Sequence, residues 1–244
     1  MIPNPWDAGS ARVLEALGFS ALATTSSGFA FTLGRLDGGV TLDEVVAHVE
    51  ALVAATELPI SVDLENGYGA EPSHAATAVT RAAEAGAVGG SIEDYDPAGY
   101  LYELSHAVER VAAAAEAAHG LGWPFALTAR AENHIRGNPD LDDTIRRLHA
   151  YEEAGADVLY APGLRTAEEI RAVCDAVSKP VNVLARRDLS LAEVVDAGAQ
   201  RISVGGALTW AAVNAFAAAA TEIRDRGDFS SLGDGSRLEE WLTP

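Results

Sequence analysis

The sequence predicts a (β/α)8 TIM barrel with a C-terminal helical extension, on three observations. Short apolar runs recur eight times, and continuous apolar runs of this length suit strands covered on both faces, as in a parallel sheet. Helical patterns separate them, and alternating strands and helices argue for a barrel rather than an open sheet. A repeated signature, Glu84-Ala-Gly-Ala, Glu153-Ala-Gly-Ala and Asp196-Ala-Gly-Ala, with Glu15-Ala-Leu-Gly-Phe as a variant, ends a helix at glycine just before an apolar run. The 244 residues are a usual length for one such barrel.

Taken in order, the predicted strands are residues 2–4, 21–25, 60–64, 90–93, 125–130, 158–161, 181–185 and 201–205. Prolines 59, 124 and 180 punctuate the third, fifth and seventh. The predicted helices are residues 10–17, 42–56, 73–85, 102–119, 141–154, 166–177, 191–197 and 209–226. Thr41-Leu-Asp-Glu reads as a capping box, and Thr166-Ala-Glu-Glu and Ser190-Leu-Ala-Glu as similar N-terminal signals. No linker divides residues 1–227. Residues 228–244 change character to Gly, Ser and Asp, then offer a short amphipathic piece with Trp241, suited to packing on the chain's own barrel or on another subunit.

Composition narrows the partners. Seventeen basic and 36 acidic residues give a net charge of −19, which disfavours nucleic acid and anionic membranes. An anionic substrate then needs a local positive site from arginine, metal or backbone amides. The only cysteine, Cys174, sits in a helical pattern and reads as a small buried hydrophobe. No internal disulfide is possible, which fits a reducing, cytoplasmic compartment. The N-terminus lacks the basic and apolar regions of a signal peptide, and no apolar run is long enough to span a membrane.

In such barrels chemistry sits at the C-terminal ends of strands. Residues 60–69 run from an apolar strand into Asp63, Glu65 and a turn with Gly67 and Gly69. Side chains two apart on a strand share a face, so Asp63 and Glu65 point together, an oxygen-only pair suited to Mg²⁺ or Mn²⁺. A surface acidic turn would have the same letters. Thr24-Thr25-Ser26-Ser27-Gly28 offers a cradle for a carboxylate or phosphate, and Gly205-Gly206 ahead of a helix is a weaker phosphate candidate beside a plain tight turn. Glu93 and Asp94 follow the fourth strand, Arg130 and Glu132 the fifth, Asn182 and Arg186 mark the seventh. Carboxylates on adjacent strands facing an arginine form either a metal and anion site or a set of structural ion pairs.

Five motifs in order resemble the isocitrate lyase/phosphoenolpyruvate mutase superfamily over nearly the whole chain. They are Asn4-Pro-Trp-Asp-Ala-Gly-Ser-Ala-Arg, Leu36-Asp37-Gly-Gly-Val-Thr-Leu-Asp-Glu, Asp63-Leu-Glu-Asn-Gly-Tyr-Gly, Ile92-Glu93-Asp94 and Ala129-Arg130. The resemblance is to a cysteine-free branch near 2-methylisocitrate lyases and phosphonomutases. It implies a Mg²⁺-dependent enzyme (Mn²⁺ being the alternative) that acts on keto-acids or 2-hydroxy-acids through a stabilised enolate. By the same resemblance Asp63, Glu65 and Glu93 form the metal site, partly through water, with Asp37 a further carboxylate near it. Thr25, Ser26, Ser27 and Gly28 bind the substrate carboxylate with Asn182 nearby, and Arg130 neutralises oxyanion charge. It also implies a homo-oligomer, dimer or tetramer, that exchanges its C-terminal helix.

The departures are specific. The family's mobile loop with an acid/base cysteine is replaced by the short Asp94-Tyr-Asp-Pro-Ala-Gly-Tyr-Leu-Tyr-Glu-Leu, without Cys, Lys or His before His106. Ser91 stands where the family has histidine, and Ala161-Pro162-Gly163 where it has a glutamate. The expectation is a lyase cleaving a C–C bond beside a keto-acid, as a decarboxylase or small-acid lyase, with water, Tyr95, Tyr100 or His134 as proton source. The alternatives are a phosphonopyruvate-type mutase or hydrolase, and a barrel that binds keto-acids without turnover.

Overall fold

The computed structural model of the protein describes residues 1–242. Along the chain, α1 (Ala8–Ala16) precedes β1 (Leu22–Ala23), and α2 (Ser26–Thr32) and α3 (Leu42–Val53) lead to β2 (Ile60–Asp63). Helix α4 (Pro72–Glu84) leads to β3 (Gly89–Glu93). The hairpin of β4 (Tyr95–Asp96) and β5 (Tyr100–Leu101), then α5 (Leu104–His119), lead to β6 (Ala126–Arg130). Next come α6 (Leu141–Glu153), β7 (Val158–Tyr160), α7 (Ala167–Ala176), β8 (Val181–Leu184), α8 (Leu191–Asp196) and β9 (Arg201–Ser203). Two helices, α9 (Ala207–Arg226) and α10 (Leu238–Leu242), complete the described chain.

Seven strands pair in parallel in the order β1-β2-β3-β6-β7-β8-β9, and the surrounding helices make this a (β/α)8-type barrel. The predicted first strand, residues 2–4, is not a regular strand, yet it fills the eighth place. Ile2 N–H donates to the Ile202 carbonyl at 2.8 Å and the Pro3 carbonyl accepts from Ala23 N–H at 3.0 Å. Pro3 and Pro5 lack N–H groups, so no continuous ladder can form there. Asn4 fastens the closure. Its Oδ1 accepts from Val204 and Gly205 N–H at 2.8 and 2.9 Å, and its Nδ2 donates to the Thr24 carbonyl at 2.9 Å.

Strand alternation divides the barrel into two environments. On β6, Leu127 and Ala129 join the apolar layer beneath the helices, with Leu159, Val183, Leu148 and Ile170. Thr128 and Arg130 face the lumen. The capping boxes at Thr41, Thr166 and Ser190 form as predicted. Two elements differ from expectation. Residues 26–32 form helix α2, capped by Thr25, where the sequence suggested only a loop. The segment after β3 is a pinned hairpin: Tyr102 Oη donates to Asp96 at 2.7 Å and accepts from Asn66 at 3.0 Å.

The barrel helices end at Gly227, whose φ of 65° is left-handed and suits glycine. From there α10 folds back, and Trp241 lines a groove with Arg12, Glu15 and Ala16 of the chain's own barrel. Thr243 and Pro244 of the predicted extension lie outside the described residues.

Asn4→Ala removes one buried and two partly buried hydrogen bonds at the closure and leaves two N–H groups without partners, which should lower stability by about 2–4 kcal/mol. Thermal unfolding should then shift down by several degrees. An unchanged Tm would show that Asn4 does not hold the barrel shut.

Candidate active site

The sequence-predicted carboxylates and Arg130 converge at the C-terminal mouth of the barrel. Register sets Glu93 beside Arg130 and Asp63 beside Ser91, two residues before Glu93, and the long Arg130 side chain spans that step to reach Asp63. Arg130 is the hub. Its Nη1 donates to Asp63 Oδ1 at 3.0 Å, and its Nη2 lies 3.0 Å from Glu93 and 2.7 Å from Glu132. The guanidinium also sits over the Tyr160 ring, 5.3 Å from its centre. Burial opposes its charge, but Glu132, Glu93 and Asp63 outweigh that and hold its pKa above the ordinary arginine value.

Two residues beyond the strand complete this frame: Glu132, marked in the sequence after the fifth strand but given no role there, and Arg136, which the sequence reading did not single out. Glu132, fully buried, accepts from Arg130 through one oxygen and from Arg136 Nε at 3.0 Å through the other. Arg136 reaches back to Glu93 at 3.4 Å and stacks on Tyr95 at 3.9 Å. Glu132 and Arg136 are four apart, a signal visible in the sequence once residues 132–136 are read as a helical turn, in which Arg136 N–H donates to the Glu132 carbonyl at 3.0 Å. Asp94 forms its ion pair with Arg147 and not with Arg130 or Arg136. It accepts from Arg147 at 2.9 Å and from Tyr151, and its Oδ1 accepts from Glu132 N–H, which anchors the frame from beneath.

Glu65 is different. Its Oε1 is buried without a hydrogen-bond partner, and burial, then Asp63 and Asp37, push its pKa up to about 8. Its φ is +48° and that of Tyr68 is +62°, left-handed values that are uncommon for residues other than glycine. The Tyr68 hydroxyl is also buried without a partner. Burial also raises the Glu93 pKa well above the usual carboxylate value, with Glu132 and Asp63 adding to it against Arg130 and Arg136. Asp37, on an exposed loop, lines the mouth with Ser26, Glu65, Glu93 and Arg136. Five carboxyl groups thus face two guanidinium groups, an imbalance that a divalent cation would relieve.

The donor set is all oxygen, as Mg²⁺ prefers. Among the described residues, no three His, Cys, Asp or Glu side chains are close enough to cage a metal directly. Asp63 and Glu93 are also held by Arg130. The residues therefore fit a hydrated Mg²⁺, which keeps several waters and reaches some carboxylates through them, and not a direct cage of Asp63, Glu65 and Glu93.

The other predicted residues separate. Thr25, Ser26, Ser27 and Asn182 line the cavity that runs inward from Asp37, Asp63 and Arg130. Gly28 does not. A Cβ there would lie 2.6 Å from both Thr209 Oγ1 and Thr25 Cγ2, so this glycine lets α2 pack against α9. Gly205 has committed its N–H to Asn4, and a Cβ on Gly206 would lie 2.8 Å from Ser27 Oγ, which favours the tight turn over a phosphate loop. His134 is buried against Thr144 Oγ1 at 2.9 Å, and burial lowers its pKa. Tyr100 is half exposed, and Arg186 pairs with Asp188 at the surface. Burial raises the Cys174 pKa to about 11, as suits an inert thiol.

Residues 1–224 match the phosphoenolpyruvate phosphomutase family. A Mycobacterium tuberculosis protein described as uncharacterized is 30% identical over 92% of this chain and 84% of its own length. A 2-methylisocitrate lyase of Halalkalibacterium halodurans is 34% identical over 74% of this chain and 61% of its own. An oxaloacetate decarboxylase of Paraburkholderia xenovorans is 34% identical over 72% and 60%. The matches thus span about three fifths of those two enzymes. Among solved structures, a Burkholderia cenocepacia protein provisionally described as a lyase/mutase superposes with a TM-score of 0.96 at 51% identity, covering 100% of this chain and 90% of that one. With its motifs, its barrel and its family match in agreement, the chain belongs to the phosphoenolpyruvate phosphomutase family, within the PEP mutase/isocitrate lyase superfamily.

Proposed function

We propose that the protein is a Mg²⁺-dependent lyase that cleaves a C–C bond beside the carbonyl of a small keto-acid, as a decarboxylase or small-acid lyase. The observation that carries this reading is the Arg130 hub beside the buried, unpartnered Oε1 of Glu65. Relatives named 2-methylisocitrate lyase and oxaloacetate decarboxylase support the reaction class. Asp63, Glu65, Glu93 and Asp37 would hold the ion, largely through water. Bound there, Mg²⁺ supplies Lewis-acid stabilisation of negative charge on the keto-acid's oxygens.

The chain's own residues do the rest. Thr25, Ser26 and Ser27 present hydroxyls to the substrate carboxylate. When the C–C bond breaks, its electron pair moves onto the keto group and leaves an enolate. Arg130, held by three carboxylates, keeps a fixed positive charge facing the enolate oxygen with no need to reorganise. Decarboxylation needs no base for this step, because CO₂ departs without giving up a proton. That suits a site whose hairpin, residues 94–101, carries no Cys, Lys or His. A proton then returns to carbon, from water or from Tyr95 at the mouth. The same hairpin lacks the lysine or asparagine that would guide a phosphoryl group, which disfavours phosphonate chemistry.

Helix α9 bears on assembly. Of its 20 residues only Thr209 is buried, and Phe216 is 74% exposed. We propose that this face packs on a second copy of the chain.

With oxaloacetate and Mg²⁺, the protein should release CO₂ faster than Mg²⁺ alone. EDTA should abolish the difference, and Asp63→Asn should lower the rate at least about 100-fold. Absence of turnover with a panel of keto-acids would contradict the lyase reading, and oxalate binding without turnover would favour a binding barrel. In sedimentation, the native chain should run as a dimer or larger and Phe216→Asp as a smaller species; a native monomer at micromolar concentration would refute the packing of α9.

A further inference from the structure

The lumen of this barrel is polar where such barrels are usually filled by branched apolar side chains. Ser61, Ser91, Thr128, Tyr160, Asn182 and Ser203 line the cavity together with Arg130, and a second arginine, Arg201, crosses it. Arg201 Nη1 donates to Thr128 Oγ1 at 2.9 Å and Nη2 to Ser61 Oγ at 3.4 Å. Its Nε is buried without a partner, and among the described residues it forms no ion pair with a carboxylate. A largely buried guanidinium held only by hydroxyls is costly unless an anion shares the space. Burial lowers its pKa, with only Tyr160 acting in the other direction.

The partners of Arg201 give the depth of its guanidinium. Thr128 and Ser61 stand two residues before Arg130 and Asp63 on the same faces of β6 and β2, about 6.6 Å further in along the strands. One continuous cavity joins the two levels, lined by Ser26, Asp63 and Arg130 above and by Thr128, Asn182 and Arg201 below. The upper level has its guanidinium fully engaged by carboxylates, while the lower one is uncompensated.

We propose that Arg201, with Thr128 and Ser61, forms a second anion subsite on the floor of the cavity that takes a non-reacting carboxylate of a dicarboxylic substrate. This deepens the keto-acid reading and rests on it for the substrate class. The anchored carboxylate is not one lost as CO₂, because pairing with Arg201 would stabilise the charge that decarboxylation must remove. Asn182 Oδ1, also buried without a partner, is placed to accept from a hydroxyl on the same ligand.

The test compares two probes in the presence of Mg²⁺: oxalate, too short to span the levels, and malate, whose carboxylates are further apart. Calorimetry is run on the native protein, Arg201→Met and Arg201→Lys, with thermal unfolding to show that each variant folds. Arg201→Met should weaken malate at least tenfold and leave oxalate within twofold, with Arg201→Lys recovering part of the loss. Malate unchanged in Arg201→Met, or oxalate and malate weakened alike, overturns the proposal and makes Arg201 a structural residue. If the native protein binds neither probe, the keto-acid reading fails by itself, and the subsite is decided by bromide soaked into crystals of the native protein. An anomalous peak between Arg201 and Thr128 upholds an anion subsite; its absence overturns it. A bromide peak with malate affinity indifferent to Arg201 overturns the substrate assignment in favour of a free inorganic anion.

Discussion

Arg130 is the constraint on which the mouth of the barrel depends. A buried guanidinium is tolerable only with charged partners, and breaking a buried pair by removing one member costs about 3–5 kcal/mol. Three carboxylates from two strands and the following turn meet it within 3.0 Å. It therefore fixes where Asp63, Glu93 and Glu132 stand, and Glu132 in turn positions Arg136. What Arg130 does not neutralise is left for something else. Glu65, with its strained backbone and orphaned oxygen, marks that remainder.

The same carboxylates therefore do two things. Towards Arg130 they are structural, holding an anion-stabilising charge in place. Towards the mouth they present oxygen atoms in excess of the nearby positive charge, which, on the proposed function, lets a strongly acidic protein draw in a cation and receive an anionic substrate. A net charge of −19 would otherwise repel a keto-acid.

Much of this was legible in the sequence. The positions of Asp63, Glu93 and Arg130 at strand ends brought three of the hub's members together, whereas Glu65 lies past the strand in a left-handed turn and is not placed by strand alternation. What escaped did so for physical reasons. The role of Glu132, which the sequence marked only as a carboxylate after the fifth strand, and its partner Arg136 depend on the turn beyond the strand, where pairing register gives no guidance. Ser26–Thr32 is too short and too rich in Ser and Phe to announce a helix, so Gly28 looked like a ligand amide when its task is close packing against Thr209. Residues 2–4 pair through only two hydrogen bonds because of their prolines. Arg201 opens its strand, at the end of the barrel where chemistry is not sought, yet its length carries the guanidinium across the lumen.

The central claim is that Asp63 and its neighbours hold a divalent ion that in turn receives an enolate-like dianion. Oxalate resembles the pyruvate enolate in charge and shape, so calorimetric titration of oxalate with and without Mg²⁺, in the native protein and in Asp63→Ala, tests it most directly. The account predicts binding that requires both Mg²⁺ and Asp63. Oxalate binding that is indifferent to Mg²⁺, or no binding at all by the folded native protein, would contradict it and leave the family relationship as one of fold alone.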